Sequence, residues 1–132
     1  VSDKKEKAKE PTPEEIAAKE ELRATFAEEA RRRCDVIAAG LATETTDFET
    51  MRAEAHALRG TAGVVGLRRL SELAGLMESD LAEAKTTGLI RGGRAHQIAD
   101  AAKALAEGAA AAAKGEEEPP DVGRSLAQLF SA

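Results

Sequence analysis

The chain has 132 residues, 42% of them hydrophobic and 33% charged, enough for one globular, soluble domain with tails and too few for a second core. Its 24 acidic against 19 basic residues give a net charge of −5, and with no Trp, no Tyr and three Phe it lacks both the basic footprint and the stacking platform of a nucleic-acid binder. A lone cysteine, Cys34, excludes an internal disulfide and fits a reducing cytoplasm, no apolar run reaches the roughly 18 residues of a membrane span, and residues 1–10 are too charged for the apolar core of a secretion signal.

Ala, Leu, Glu, Lys and Arg dominate and β-branched runs are missing, which predicts an all-α chain. Residues 1–11 read as a disordered charged tail. Thr12-Pro13-Glu14-Glu15 then carries a capping box with proline at the first helical position. It opens a first helix over about 13–41 whose stripe is Leu22, Phe26, Ala30, Cys34, Ile37 and Leu41. This helix is longer than its neighbours, so its first turns are expected to overhang or fray. Residues 43–46 form a polar break, and Thr46-Asp47-Phe48-Glu49 reads as a second capping box. The second helix follows with Phe48, Met51, Ala55, Leu58, Ala62 and Val65 at alternating three- and four-residue steps. After Gly66, a third helix over about 67–86 repeats the seam with Leu67, Leu70, Ala74, Met77, Leu81 and Ala84 and stops before Gly88. An alanine-rich fourth helix, about 92–114, turns Ile98, Ala101, Leu105, Ala109 and Ala112 inward and ends at Gly115 and the 116–120 segment. Residues 125–130 either form one short docking helix or stay loose. The expectation is an antiparallel up-down four-helix bundle over 12–115, with 116–132 as a linker or short docking helix.

The informative stretch is Glu54-Ala-His-Ala-Leu-Arg-Gly-Thr-Ala-Gly-Val-Val-Gly66. On a helix His56 lies beside the buried seam, because Ala55 and Leu58 occupy it, and Arg59, Gly60 and Gly63 share its face. Glycine inside a helix costs ~1 kcal/mol relative to alanine, so two on one face next to a histidine ask for a reason. Clearance supplies one: without side chains there, a large partner brings its own active site to the imidazole. A neutral imidazole offers one nitrogen as a nucleophile, and Arg59, one turn on, is placed to pair with an added phosphoryl group.

His56-Ala-Leu-Arg-Gly60, followed by Gly63 and Gly66, resembles the signature of histidine-containing phosphotransfer domains. The likeness is nearest to the phosphotransfer domain of chemotaxis histidine kinases and continues through Leu76-Met77-Glu78 and Leu81-Ala-Glu-Ala84. The resemblance implies that His56 is the phosphoacceptor, Arg59 contacts the phosphoryl group, Glu78 orients the imidazole, and Gly60 and Gly63 clear a docking face. It also implies a histidine kinase or kinase domain as donor and a response-regulator receiver as acceptor, with Mg²⁺ and ATP held by those partners and no cofactor on this chain. Three departures stand out: Arg59 replaces the commoner lysine, Gly75 sits where chemotaxis kinases often carry a second histidine, and a charged tail precedes Thr12.

Within this reading the chain is either free-standing or the N-terminal domain of a chemotaxis-type kinase. The alternative is a helical adaptor or kinase-inhibitor module that keeps the bundle without phosphotransfer. His96 reads as solvated surface and Cys34 as a small core residue. Arg31-Arg32-Arg33 reads as a solvated helix face, and two histidines forty residues apart with one cysteine do not make a metal site by spacing. The glycines match neither a dinucleotide fingerprint nor a phosphate-binding loop.

Overall fold

In the computed structural model, which describes residues 10–43 and 47–131, the first helix starts as its sequence dictates. Thr12 Oγ1 accepts the Glu15 N–H at 3.1 Å, and Glu15 Oε1 accepts the Thr12 N–H at 3.0 Å. Proline follows in the first turn, and α1 (Pro13–Ala42) runs for 30 residues, about 45 Å. Next come α2 (Phe48–Val64), α3 (Arg68–Thr87), α4 (Arg94–Ala113) and α5 (Pro120–Phe130). No strand occurs among the described residues, and no described helix is long and apolar enough to cross a membrane. The expected tail, apart from residues 10 and 11, and Thr46 lie outside the described residues. The N-cap of α2 is Asp47, one residue beyond the expected one, and its Oδ1 accepts the Thr50 N–H at 3.2 Å.

The first four helices pack as the sides of a square, α1 on α2, α2 on α3, α3 on α4 and α4 back on α1, an up-down four-helix bundle. The seams of α2 and α3 are buried as expected: Phe48, Met51, Ala55, Leu58, Ala62 and Val65 face Leu70, Ala74, Met77, Leu81 and Ala84, while Leu67 is half-buried. Two stripes differ from expectation. Leu22 is 52% exposed and burial on α1 begins only at Phe26, because the shorter neighbouring helices leave nothing for the first turns to pack on. Those turns remain helical and overhang. On α4 the buried face is wider than a seam, taking in Ala102, Ala104, Gly108 and Ala111, while Ala112 is only half-buried. The cause is α5, which lies across α3 and α4 and covers a flank that four helices alone would leave open.

Of the two outcomes expected for the end of the chain, the structure shows the helix. Pro120 opens α5 in the first turn, and Val122, Ser125 and Leu129 are buried at helical spacing. Arg94, only 8% exposed, ties it down. Its Nη1 donates to Gln128 O at 3.1 Å and Gln97 Oε1 at 2.9 Å, and its Nη2 donates to Ser131 O at 3.4 Å. The Gln128 and Ser131 carbonyls belong to the last turn of α5 and the residue after it, where helical partners run out. The counter-charge is Asp80 on α3, its Oδ2 at 3.4 Å from Arg94 Nε, near enough for an ion pair but not aligned for a hydrogen bond. Burial pushes the Asp80 carboxyl above its ordinary range, against the opposing pull of Arg94.

Replacing Arg94 by Met should cost about 3 kcal/mol, the usual penalty for leaving one half of a buried pair. Hydrogen exchange should quicken in α5 and not in α2. The sign of the pH dependence follows from Asp80: its raised folded-state pKa makes it a liability once ionised. The deficit of the variant should therefore be largest at neutral pH and shrink as pH falls through the carboxylate range and Asp80 takes a proton, read by chemical denaturation across pH.

Candidate functional site

The α2–α3 turn sets the register of everything on this face. Gly66 adopts φ 79°, a left-handed conformation that costs glycine little, and the chain closes with Gly66 N–H to Gly63 O at 3.1 Å and Leu67 N–H to Ala62 O at 2.9 Å. Folding two antiparallel helices back about this point pairs residues equidistant from Leu67. Gly63 meets Ser71, Arg59 meets Gly75, His56 meets Glu78 and Glu49 meets Lys85. Ser71 Oγ fastens the register by donating to Arg59 O at 2.9 Å.

His56 sits beside the seam, its side chain 58% exposed, and its Nδ1 lies 2.8 Å from Glu78 Oε2. The Glu78 side chain is only 15% exposed. An ionised carboxylate only accepts hydrogen bonds, so beside it a neutral ring carries its proton on Nδ1 and keeps the lone pair on Nε2. Two guanidinium groups flank the same carboxylate. Arg52 Nη1 donates to Glu78 Oε2 at 3.3 Å, and Arg59 Nε stands 3.4 Å from Glu78 Oε1. The second contact is an ion pair without a hydrogen bond, for Oε1 is buried and accepts none. Arg59, the residue expected to contact an added phosphoryl group, is half exposed and loosely engaged with Glu78.

Gly75 explains how Arg59 gets there. A Cβ at position 75 would stand 3.2 Å from Arg59 Cδ, so the missing side chain on α3 is the bed on which the arginine stem lies. Arg59 and Gly75, two of the positions named above as departures, thus occupy one space. Gly60 is exposed with nothing within 4 Å of an added Cβ, and Gly63 would meet only Ser71 Oγ, at 3.6 Å. The face beside His56 is therefore open, with Val64 exposed at its end.

Sequence reasoning missed Arg52 and its supports. Arg52 Nε and Nη2 grip Glu49 at 2.8 and 2.9 Å, and Lys85 Nζ reaches the same Glu49 from α3 at 2.8 Å. The Arg52 and then the Lys85 hydrogen bonds hold the Glu49 carboxyl down at about 2, and Glu49 in turn raises Arg52. The signal was available: Arg52 precedes His56 by four residues and shares its stripe. Away from this face, His96 is exposed as expected, and Cys34 is buried in the core with burial pushing its thiol up to about 12. Of the arginine triplet, Arg31 and Arg32 are exposed, but Arg33 is turned inward. It bonds Glu29 at 3.0 Å and Glu54 on α2, an arrangement that raises its pKa chiefly through Glu54. No group of three or more metal-capable side chains gathers among the described residues.

Comparison with known families gives one finding: residues 21–129, from the third turn of α1 to the last turn of α5, match the Hpt domain. No curated protein matches the chain.

The Arg59 bed has a direct test. Gly75→Ala should raise stability by up to ~1 kcal/mol through helix propensity while shifting the Arg59 Nε–H resonance in NMR spectra, because the added methyl displaces the stem. An unmoved resonance would mean that Arg59 does not rest on position 75.

Proposed function

The chain belongs to the Hpt domain family, whose role is histidine phosphotransfer in phosphorelays, and from that membership we propose that His56 is its phosphoacceptor. The observation that carries the proposal is the 2.8 Å contact of His56 Nδ1 with Glu78 on a ring that is 58% exposed. With Nδ1–H donated to Glu78, Nε2 attacks the terminal phosphorus of ATP bound to a histidine kinase or kinase domain. The N–P bond forms as the bond to the bridging oxygen of ADP breaks. Glu78 stabilises the positive charge that spreads over the ring as its lone pair is used. Arg59, held without a hydrogen bond at Glu78 Oε1, turns toward the phosphoryl oxygens once they are present.

In the second half-reaction an aspartate of a response-regulator receiver attacks the phosphorus, and Nε2 leaves with its electron pair. The open face at Gly60 and Gly63 is where the receiver comes in, since a side chain there would stand between the two active sites. Magnesium and nucleotide belong to the partners in this reading; this chain presents and orients the nucleophile. The match of Leu76-Met77-Glu78 and Leu81-Ala-Glu-Ala84 to the pattern seen in chemotaxis kinases supports a chemotaxis-type parent or partner. The free, buried Cys34 supports a reducing, cytoplasmic setting.

His56→Gln should abolish acid-labile labelling by a histidine kinase and ATP and leave melting within ~0.5 kcal/mol of the parent, because the side chain lies off the core. Labelling that survives the substitution, or that maps to His96, would overturn the assignment, whereas a parent chain that takes no label would favour the helical adaptor. Gly60→Leu should keep kinase labelling, stabilise α2 by up to ~1 kcal/mol, and block transfer to the receiver. An unchanged transfer rate would move the docking face elsewhere.

A further inference from the structure

Glu78 is a largely buried carboxylate with three cationic or donor groups around it, and they do not serve it equally. His56 Nδ1 and Arg52 Nη1 both address Oε2, at 2.8 and 3.3 Å, while Arg59 stands at 3.4 Å from Oε1 without bonding it. Arg52 is also the better anchored of the two arginines. Its side chain is 26% exposed against 50% for Arg59, and its Nε and Nη2 are both engaged by Glu49, which Lys85 fixes from α3. The guanidinium fork thus spends two donors on its own helix and directs the third across to α3. Arg59 has only its stem supported, over Gly75.

We infer that Arg52 is a positioning residue for the reaction at His56: it holds Glu78 against Nδ1, and so releases Arg59 to serve the phosphoryl group. The inference rests on His56 being the phosphoacceptor. If Arg59 turns toward the phosphoryl oxygens, the buried Glu78 loses one of its two positive neighbours, and a buried carboxylate with too little compensation recaptures its partner. Recapture would withdraw Arg59 from the phosphoryl group. Arg52 removes that outcome by staying. The stripe Glu49, Arg52, His56, Arg59 at three-, four- and three-residue steps is therefore a graded series, from a fixed cation through the reacting ring to a movable cation.

The test uses the intact chain with Arg52→Gln, Arg52→Lys, Arg59→Gln and the Arg52/Arg59 double variant. Rates of kinase labelling and of transfer to a receiver are measured, together with the His56 tautomer by ¹⁵N NMR of the unphosphorylated protein and melting by circular dichroism. Arg52→Gln should slow phosphotransfer about ten-fold, the worth of one charge-assisted hydrogen bond, and lower the fraction of ring protonated at Nδ1 with the fold intact. Lysine should restore part of both, since it keeps the charge but not the fork. Arg59→Gln should cost much less in the Arg52→Gln background than alone, because without Arg52 the second arginine is tied to Glu78. An unchanged tautomer and rate in Arg52→Gln, or losses that multiply independently in the double variant, would overturn the inference. Failure of the phosphoacceptor assignment shows separately, as labelling that survives His56→Gln, and the tautomer still reads whether Arg52 positions Glu78.

Discussion

The turn at Gly66 and Leu67 is the constraint on which the functional face depends. Once two antiparallel helices fold back about Leu67, four cross-helix meetings follow from counting alone: Gly63 with Ser71, Arg59 with Gly75, His56 with Glu78, Glu49 with Lys85. They recur every three, four or seven residues because that is the period at which a helix returns to one face. A slip of one residue would carry α3 round by about 100° and remove the carboxylate from the imidazole. The interdigitated seams of Met51, Ala55, Leu58, Ala74, Met77 and Leu81 resist such a slip, so apolar packing enforces the register that the polar face uses.

The division between packing and chemistry is visible residue by residue. Ala55 and Leu58 are fully buried, and His56 between them is mostly in solvent. Core packing and the proposed chemistry therefore lie on adjacent stripes of one helix. Glu78 is the exception, a charge buried at the edge of the apolar seam whose cost is offset by the donors that make it useful.

Much of this was legible in the sequence, and the gaps have physical causes. Periodicity gave the seams of α2 and α3, and capping chemistry gave the start of α1, because both are local. Leu22 was assigned to a stripe that its helix does have; what the sequence could not supply was the length of the neighbours, which ends before Leu22 is reached. The wide face of α4 went unread because its cause, α5, lies beyond the glycine and acidic stretch that ends α4, and an 11-residue amphipathic segment does not announce whether it docks. Arg94 was passed over because a buried arginine is identified by the carbonyls it meets, and those lie 34 and 37 residues away. At the site, the family signature pointed to His56, Arg59 and Glu78, but it describes each residue by role and not by what else competes for it. Counting outward from Leu67 would have set Arg59 opposite Gly75, and the four-residue step back from His56 would have found Arg52.

Glycine does three separable things in this chain, and the distinction bears on what the open face is for. At Gly66 the requirement is backbone conformation. At Gly75, Gly40 and Gly108 it is close approach: an added Cβ would meet Arg59 at 3.2 Å, Met51 at 2.7 Å and Leu70 at 2.8 Å. At Gly60 neither applies, since the residue is helical, has no positive φ, and has nothing within 4 Å of an added Cβ. Inside α2 that glycine costs ~1 kcal/mol that alanine would return, and no intramolecular contact offsets it. On the proposed phosphotransfer reading, the compensation lies in a partner surface that approaches the helix more closely than a side chain would allow. Gly60 follows His56 by four residues on the same face, so on that reading the approach brings the partner beside the imidazole.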